Sequence, residues 1–352
     1  MGEDSIRTVH LKTKKIIAAA AIKSQCSRDW MYGKDLLVEN HFGGMEGQAQ
    51  TAIDYFSRAV DPPLPDCEMK TAMLIFILMQ AARTEANIRR LESAFTDMLS
   101  HARNGQVPWD VNCKINEINS TDRAKLILSA ATTTLPFLYD LSFRVLQAEA
   151  CSEFVISDNP CILTNQLFHR LSGLPSLGWG MLGIQAFLPI DPRYTIMLYD
   201  RKAYRVGNRR SGLKLVLSKS DVTKLNLLQA LSGLHSIYVS HVFRESDILR
   251  LLTNATEGRR STRNEIRTFA KGGNSTLITS SRTNLNTPLD WTFCKILRKA
   301  RQLREVENWG PRDRRVAELH QKLVVLQRQN DVQSAALFGD MIRYQLSRWK
   351  CF

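Results

Sequence analysis

In this 352-residue chain the residues best suited to chemistry lie at a few positions. Glu153-Phe154-Val155-Ile156-Ser157 reads as a short strand, stopped by Asp158-Asn159-Pro160. A carboxylate at a strand end can hold Mg2+ or Mn2+ through one or two oxygens while a substrate phosphate supplies others. Asp191, between Pro189 and Pro192, occupies a similar place. Glu39 and Glu46, seven apart, share one helix face provided that Gly43-Gly44 leaves the register intact. Asp158, Asn159, Asp191 and Glu39 are therefore the candidate catalytic set of a metal-dependent hydrolase acting on nucleic acid. The same residue types also make ordinary structure. Asp and Asn bond their own backbone in Asx-turns, proline ends strands, and spaced glutamates form solvated faces. Both readings stand at the level of sequence.

Gln80, Arg83, Thr84 and Asn87 fall on one helix face, at spacings of three, four and seven. Beside the apolar run Ala72 to Met79 such a polar stripe needs partners. Arg83 can fork onto a ligand phosphate or carboxylate, with Gln80 beside it. It can equally hold the turn at Asp158 through an internal ion pair. Asp140 and Arg144, four apart, read as an ordinary surface pair on a helix. The seven cysteines form no C-x-x-C, so a zinc ribbon or dithiol motif is not indicated, and they read as reduced, packed thiols. No G-x-x-x-x-G-K-[ST], G-x-S-x-G or H-E-x-x-H occurs, which leaves NTPase, α/β-hydrolase and zincin readings unsupported.

Charge is the strongest global signal. The net charge is +14. Residues 1–200 hold 19 Lys+Arg against 22 Asp+Glu, and residues 201–352 hold 29 against 12. All the excess positive charge thus lies in the last 152 residues. Such asymmetry points to nucleic acid or another polyanion as partner, or else to a solubilising surface. The candidate contacts are Arg209 and Arg210 after a hairpin, Arg259, Arg260 and Arg263 in a polar segment, and Lys295, Arg298 and Lys299 on a helix. Trp291 and Trp309 at that helix's ends can stack on bases or anchor it to a core.

These residues must be carried by definite elements. Helices are expected over 8–25, 35–59, 68–103 and 122–150, with a kink at Pro136. Short strands follow at 153–157, 183–190, 194–199 and 237–239, with 203–206 extending the hairpin. Further helices are expected at 221–234, 246–252, 289–305 and 314–348. The fold class is α+β, with a helical N-terminal half, a small mainly antiparallel sheet and a helical C-terminal hairpin. The expected division is an α+β core over 1–252, a polar basic linker or loop over 253–288 and a basic helical extension over 289–352. No apolar run reaches the roughly 18–20 residues that span a bilayer. A membrane is therefore not an expected partner, and the chain reads as cytoplasmic.

Three segments in order carry a resemblance. They are Leu78-Met79-Gln80-Ala81-Ala82-Arg83-Thr84, then Glu153 to Pro160, then Phe187-Leu188-Pro189-Ile190-Asp191-Pro192 followed by Ile196 to Asp200. Together they resemble a mostly bacterial family known as domain of unknown function number 4238, with its Q-x-x-R-T helix, F-I-T-S-D-N-P and P-x-S-P motifs. The resemblance covers about residues 25–242. Asp191 replaces the usual serine, and the family's opening H-x-V-P segment has no match around Val9-His10-Leu11. The family implies no settled activity; its members resemble accessory genes of mobile or defence islands. Three functions remain in view: polyanion binding through the basic C-terminal part, a metal-dependent nuclease built on Asp158, and a protein-interaction component docking through the C-terminal helices at Leu323 to Leu326 and Leu337.

Overall fold

The computed structural model describes residues 5–25, 37–58, 65–89, 93, 96, 131, 133–168, 177–208, 212–258, 265–271, 275–281, 290–304 and 311–328. The fold is α+β. At its centre is a five-stranded sheet in the order β5 (Ile162–Thr164), β6 (Gln185–Asp191), β7 (Tyr194–Tyr199), β3 (Ser142–Ala148), β9 (Lys214–Leu217). All of its pairs are antiparallel except β3 with β9. Both faces of this sheet are apolar. Ala186, Leu188, Ile196 and Leu198 point to one core, while Phe187, Met197 and Tyr199 point to the other. That is why β6 and β7 read as continuous apolar runs rather than as alternating ones.

Two helices cover the first face: α1 (Leu37–Arg58) and α2 (Cys67–Ala82). Phe42, Ala49, Ala52 and Phe56 make the buried stripe of α1. The helix runs unbroken through Gly43-Gly44. Burial of a side chain such as Phe56 contributes about 1.5–3 kcal/mol, enough to offset the roughly 1 kcal/mol that each glycine costs. Asp66 caps α2 by accepting from the Met69 amide at 2.8 Å. The expected helix over 68–103 is broken at Arg83-Thr84, and the described residues beyond it, 85–89, 93 and 96, are helical again.

The second face packs on α4 (Lys219–Ser232), through Val222, Leu225 and Leu228. The opposite side of α4 supplies Ala230 and Leu231 to a third core. That core lies between a four-stranded sheet, β2 (Ile16–Ala21), β1 (Ser5–His10), β10 (Ser236–Val239), β4 (Ile156–Ser157), and the helix α5 (Glu245–Gly258). The helix α4 is thus a strut shared by two cores.

Several expected elements are corrected. Residues 8–25 form the β1–β2 hairpin instead of a helix. Pairing with β10 buries Thr8 and Val9 completely, and this outweighs the helix propensity of the alanines. Residues 142–148 are strand β3, not the end of a helix. Pro136 starts the one-turn α3 (Pro136–Tyr139) in its first turn, where a missing N–H is harmless. Residues 204–206 form β8 (Tyr204–Val206), which pairs with β13 (Cys294–Ile296) rather than extending the β6–β7 hairpin. Within the expected linker, 253–258 continue α5, and β11 (Glu265–Lys271) pairs with β12 (Ser275–Ser281) across their full length. Lys295 therefore sits on a strand, and the helix α6 (Arg298–Arg304) begins after it. Trp291, Phe293 and Cys294 belong to the second core. The helix α7 (Arg314–Arg328) lays Leu319 and Leu323 against the first core.

Candidate functional site

The turn at Asp158 is built by α4. Asn226 and Gln229, one helical turn apart, bond the backbone of 153–160 as a neighbouring strand would. The Asn226 Oδ1 accepts from the Val155 amide at 3.0 Å, and its Nδ2 donates to the Glu153 carbonyl at 2.8 Å. The Gln229 Oε1 accepts from the Ser157 amide at 3.0 Å, and its Nε2 donates to the Pro160 carbonyl at 2.8 Å. One turn further on, Asn159 donates to the Ser232 Oγ at 2.7 Å and accepts from the Thr84 Oγ1 at 3.0 Å. The Asp158 carboxylate accepts from the amides of Leu234 at 2.7 Å, His235 at 2.6 Å and Ser236 at 3.1 Å. Both its oxygens are thus engaged in fixing the α4–β10 connection.

Asp191 accepts from the Arg193 amide at 2.7 Å inside the β6–β7 turn. The Arg193 guanidinium donates to the carbonyls of Ala148, Glu149 and Ser152. Arg83 pairs with Glu46 at 2.5 Å, stacks over Phe42 at 5.5 Å and contacts the Gln80 Oε1 at 3.4 Å. Its internal partner is therefore Glu46 of α1. Glu39 lies on α1, and its side chain is outside the described residues. The structure brings Arg83 to Glu46 and Asn159 to Thr84, while Asp158 and Asp191 each serve a separate turn. Among the described residues no three of His, Cys, Asp and Glu gather to hold a metal ion.

The expected Asp140–Arg144 pair is also corrected, because the two residues do not share a helix. Arg144 is on β3, and Asp140 pairs with Arg312 at 2.5 Å. Arg312 spends every guanidinium N–H. Its Nε and one terminal nitrogen fork onto Asp140, and the remaining donors reach the carbonyls of Phe137, Trp179 and Met181. Its side chain is 1% exposed.

A different chemistry appears where β8, β13 and α6 meet. A cavity of about 470 Å³ is lined there by Arg205, Lys295, Arg298, Arg301 and Asp290, with Gln166, Trp291, Cys294, Ile296 and Leu297. Among the described residues four cations face one carboxylate. Among the described residues none of the four is in an ion pair, and all four are exposed. Arg298 and Arg301 are three apart and so share a face of α6. Trp291 is 5% exposed, and its Nε1–H has no hydrogen-bond partner among the described residues. The Cys294 thiol receives a bond from Gln185 at 3.5 Å, and burial pushes its pKa up to about 12, so it stays neutral.

This wall is held rigidly. Asp221, fully buried at the start of α4, accepts from the amide and hydroxyl of Thr292. Lys224 donates to the Asp290 carbonyl at 2.6 Å, and the amides of Gly207 and Leu297 bond Phe293 and Ala203. Of the residues expected to meet a polyanion, Lys295 and Arg298 line the cavity, whereas Lys299 is exposed beside it. Arg209, Arg210, Arg259, Arg260 and Arg263 lie outside the described residues. Asp221 has no signal in the sequence, and Arg205 and Arg301 stand there only as members of basic clusters. Their only signal was charge, and charge alone does not say which strand pairs with which.

Residues 2–240 match the family described as protein of unknown function (DUF4238), and the chain belongs to that family. The match starts before the expected residue 25, so it takes in the β1–β2 hairpin, where His10 meets the Ser236 Oγ at 3.3 Å. No curated protein and no solved structure matches the chain. The family region supplies Arg205 and Gln166 to the cavity; β13 and α6 lie beyond it.

Proposed function

We propose that this protein binds nucleic acid through the cationic cavity between β8, β13 and α6. The observation that carries the reading is the ratio at its wall among the described residues: Arg205, Lys295, Arg298 and Arg301 against Asp290. Exposed arginines without internal partners are available to phosphates, and each phosphate they neutralise releases counterions. The apolar wall at Ile296 and Leu297 offers contact to a nucleoside. No divalent cation is needed for this grip.

The test is fluorescence anisotropy of labelled single-stranded RNA and DNA and of duplex DNA with the full chain. Titrations run between roughly 50 and 200 mM salt, with Mg2+ and with EDTA. Binding should weaken with a log–log slope of about −3 on a single strand if all four cations engage. The double variant Arg298→Glu, Arg301→Glu should lose at least about tenfold in affinity. Binding that ignores salt, or a double variant that binds as the parent does, would overturn the reading.

A further inference from the structure

We propose that the cavity receives the end of a nucleic-acid strand and seats its terminal phosphomonoester among Arg205, Lys295, Arg298 and Arg301; this rests on the binding reading above. The first argument is shape. A space of about 470 Å³ is in the range of a site for one small ligand. It is open to solvent, so a terminal nucleotide can enter it from outside.

The second argument is charge. An internal phosphodiester carries one negative charge. A terminal phosphomonoester carries about −1.5 to −2 at neutral pH, with three strong acceptor oxygens. Three guanidiniums and one ammonium around one cavity match the second far better than the first. Asp290, also at the wall, can accept from a sugar hydroxyl.

The third argument is a wall already held in place. Buried indole N–H groups normally find an acceptor. Trp291 is packed between Phe187 and Phe293, at ring-centroid separations of 5.7 and 5.5 Å, yet its Nε1–H has no partner among the described residues. The residue lines the cavity, while the Nε1 itself is closed to solvent. The neutral Cys294 thiol on the same wall adds no repulsion. Since Asp221 and Lys224 already pin the segment carrying Trp291, little ordering is needed on binding.

The experiment uses the full chain and one single-stranded sequence of about ten nucleotides, a typical site size for such binders. It is prepared with a 5′-phosphate, with a 3′-phosphate and with hydroxyls at both ends, as RNA and as DNA. One phosphorylated end should bind at least about tenfold tighter than the hydroxyl form. That advantage should vanish in Arg298→Gln, Arg301→Gln, and separately in Arg205→Gln, with thermal unfolding unchanged. Equal affinity for all ends, together with weakened binding by the arginine variants, would overturn end recognition and leave the binding reading intact. Binding of no strand at all would overturn the binding reading itself. A nucleoside monophosphate that competes as well as the strand does would overturn the strand-end assignment in favour of a free nucleotide.

Discussion

The turn at Asp158 and the cavity at Arg298 are both dense in polar residues, and they differ in where those residues spend their hydrogen bonds. Around Asp158 every described contact runs inward: Asn226 and Gln229 to the backbone, Asn159 to Thr84 and Ser232, the carboxylate to three amides. Around Arg298 the cations reach no acid among the described residues. Arg312 sharpens the contrast within the same basic stretch, because all its donors are consumed by Asp140 and three carbonyls. Residue type therefore does not distinguish a fold-holding group from a ligand-facing one. The number of donors left over does.

The largest effect should come from Arg312. Arg312→Ala leaves Asp140 buried without its charge partner and should cost about 3–5 kcal/mol of stability. Arg298→Ala should change stability by no more than about 0.5 kcal/mol. Urea denaturation of the two variants is the check, and comparable losses would break the contrast. Arg312→Lys should recover little, because an ammonium cannot replace the five N–H donors of the fork.

Next come the side chains that mimic a strand. Asn226→Ala and Gln229→Ala each strand a backbone amide, and each should cost about 1–3 kcal/mol. Hydrogen exchange at the Val155 and Ser157 amides should accelerate in the matching variant. Unchanged protection would mean that β10 alone holds the segment.

The smallest effect is a pH slope. Burial raises the pKa of Asp200 from its ordinary 3.8, against the pull of Arg312. The folded state then holds the proton more tightly than the unfolded state. This contribution is complete below pH 3.8 and is lost as the pH climbs through the folded pKa. Asp200→Asn should remove that part of the fall, read as thermal midpoints measured upward from pH 4. A slope identical to the parent's would place the titration elsewhere.

What the sequence disclosed follows the range of the forces involved. The stripe of α1, the β6–β7 hairpin, α4 and β10 announce themselves by local periodicity and punctuation. Strands β1 and β2 do not, since Ile16 to Ala21 reads as well for a helix as for a strand until β10 is placed beside it. The turn chemistry of Asp158 and Asn159 was visible, but most of their partners were not, because Ser232, Leu234, His235 and Ser236 come more than seventy residues later. The cationic cavity was visible as charge only. Its assembly depends on β8 pairing with β13, a contact that no local pattern encodes.

The pairing of His10 with Ser236 has a consequence for how the chain is made. The β1–β2 hairpin leaves the ribosome before the strand that flanks it, which emerges more than two hundred residues later. At about 5–20 residues per second, that interval is roughly 10–45 s. Throughout it the nascent hairpin presents Val9 and the side of β1 that β10 will later cover. Slowing or arresting synthesis before residue 236 should therefore yield chains captured by holdase chaperones through the β1–β2 hairpin.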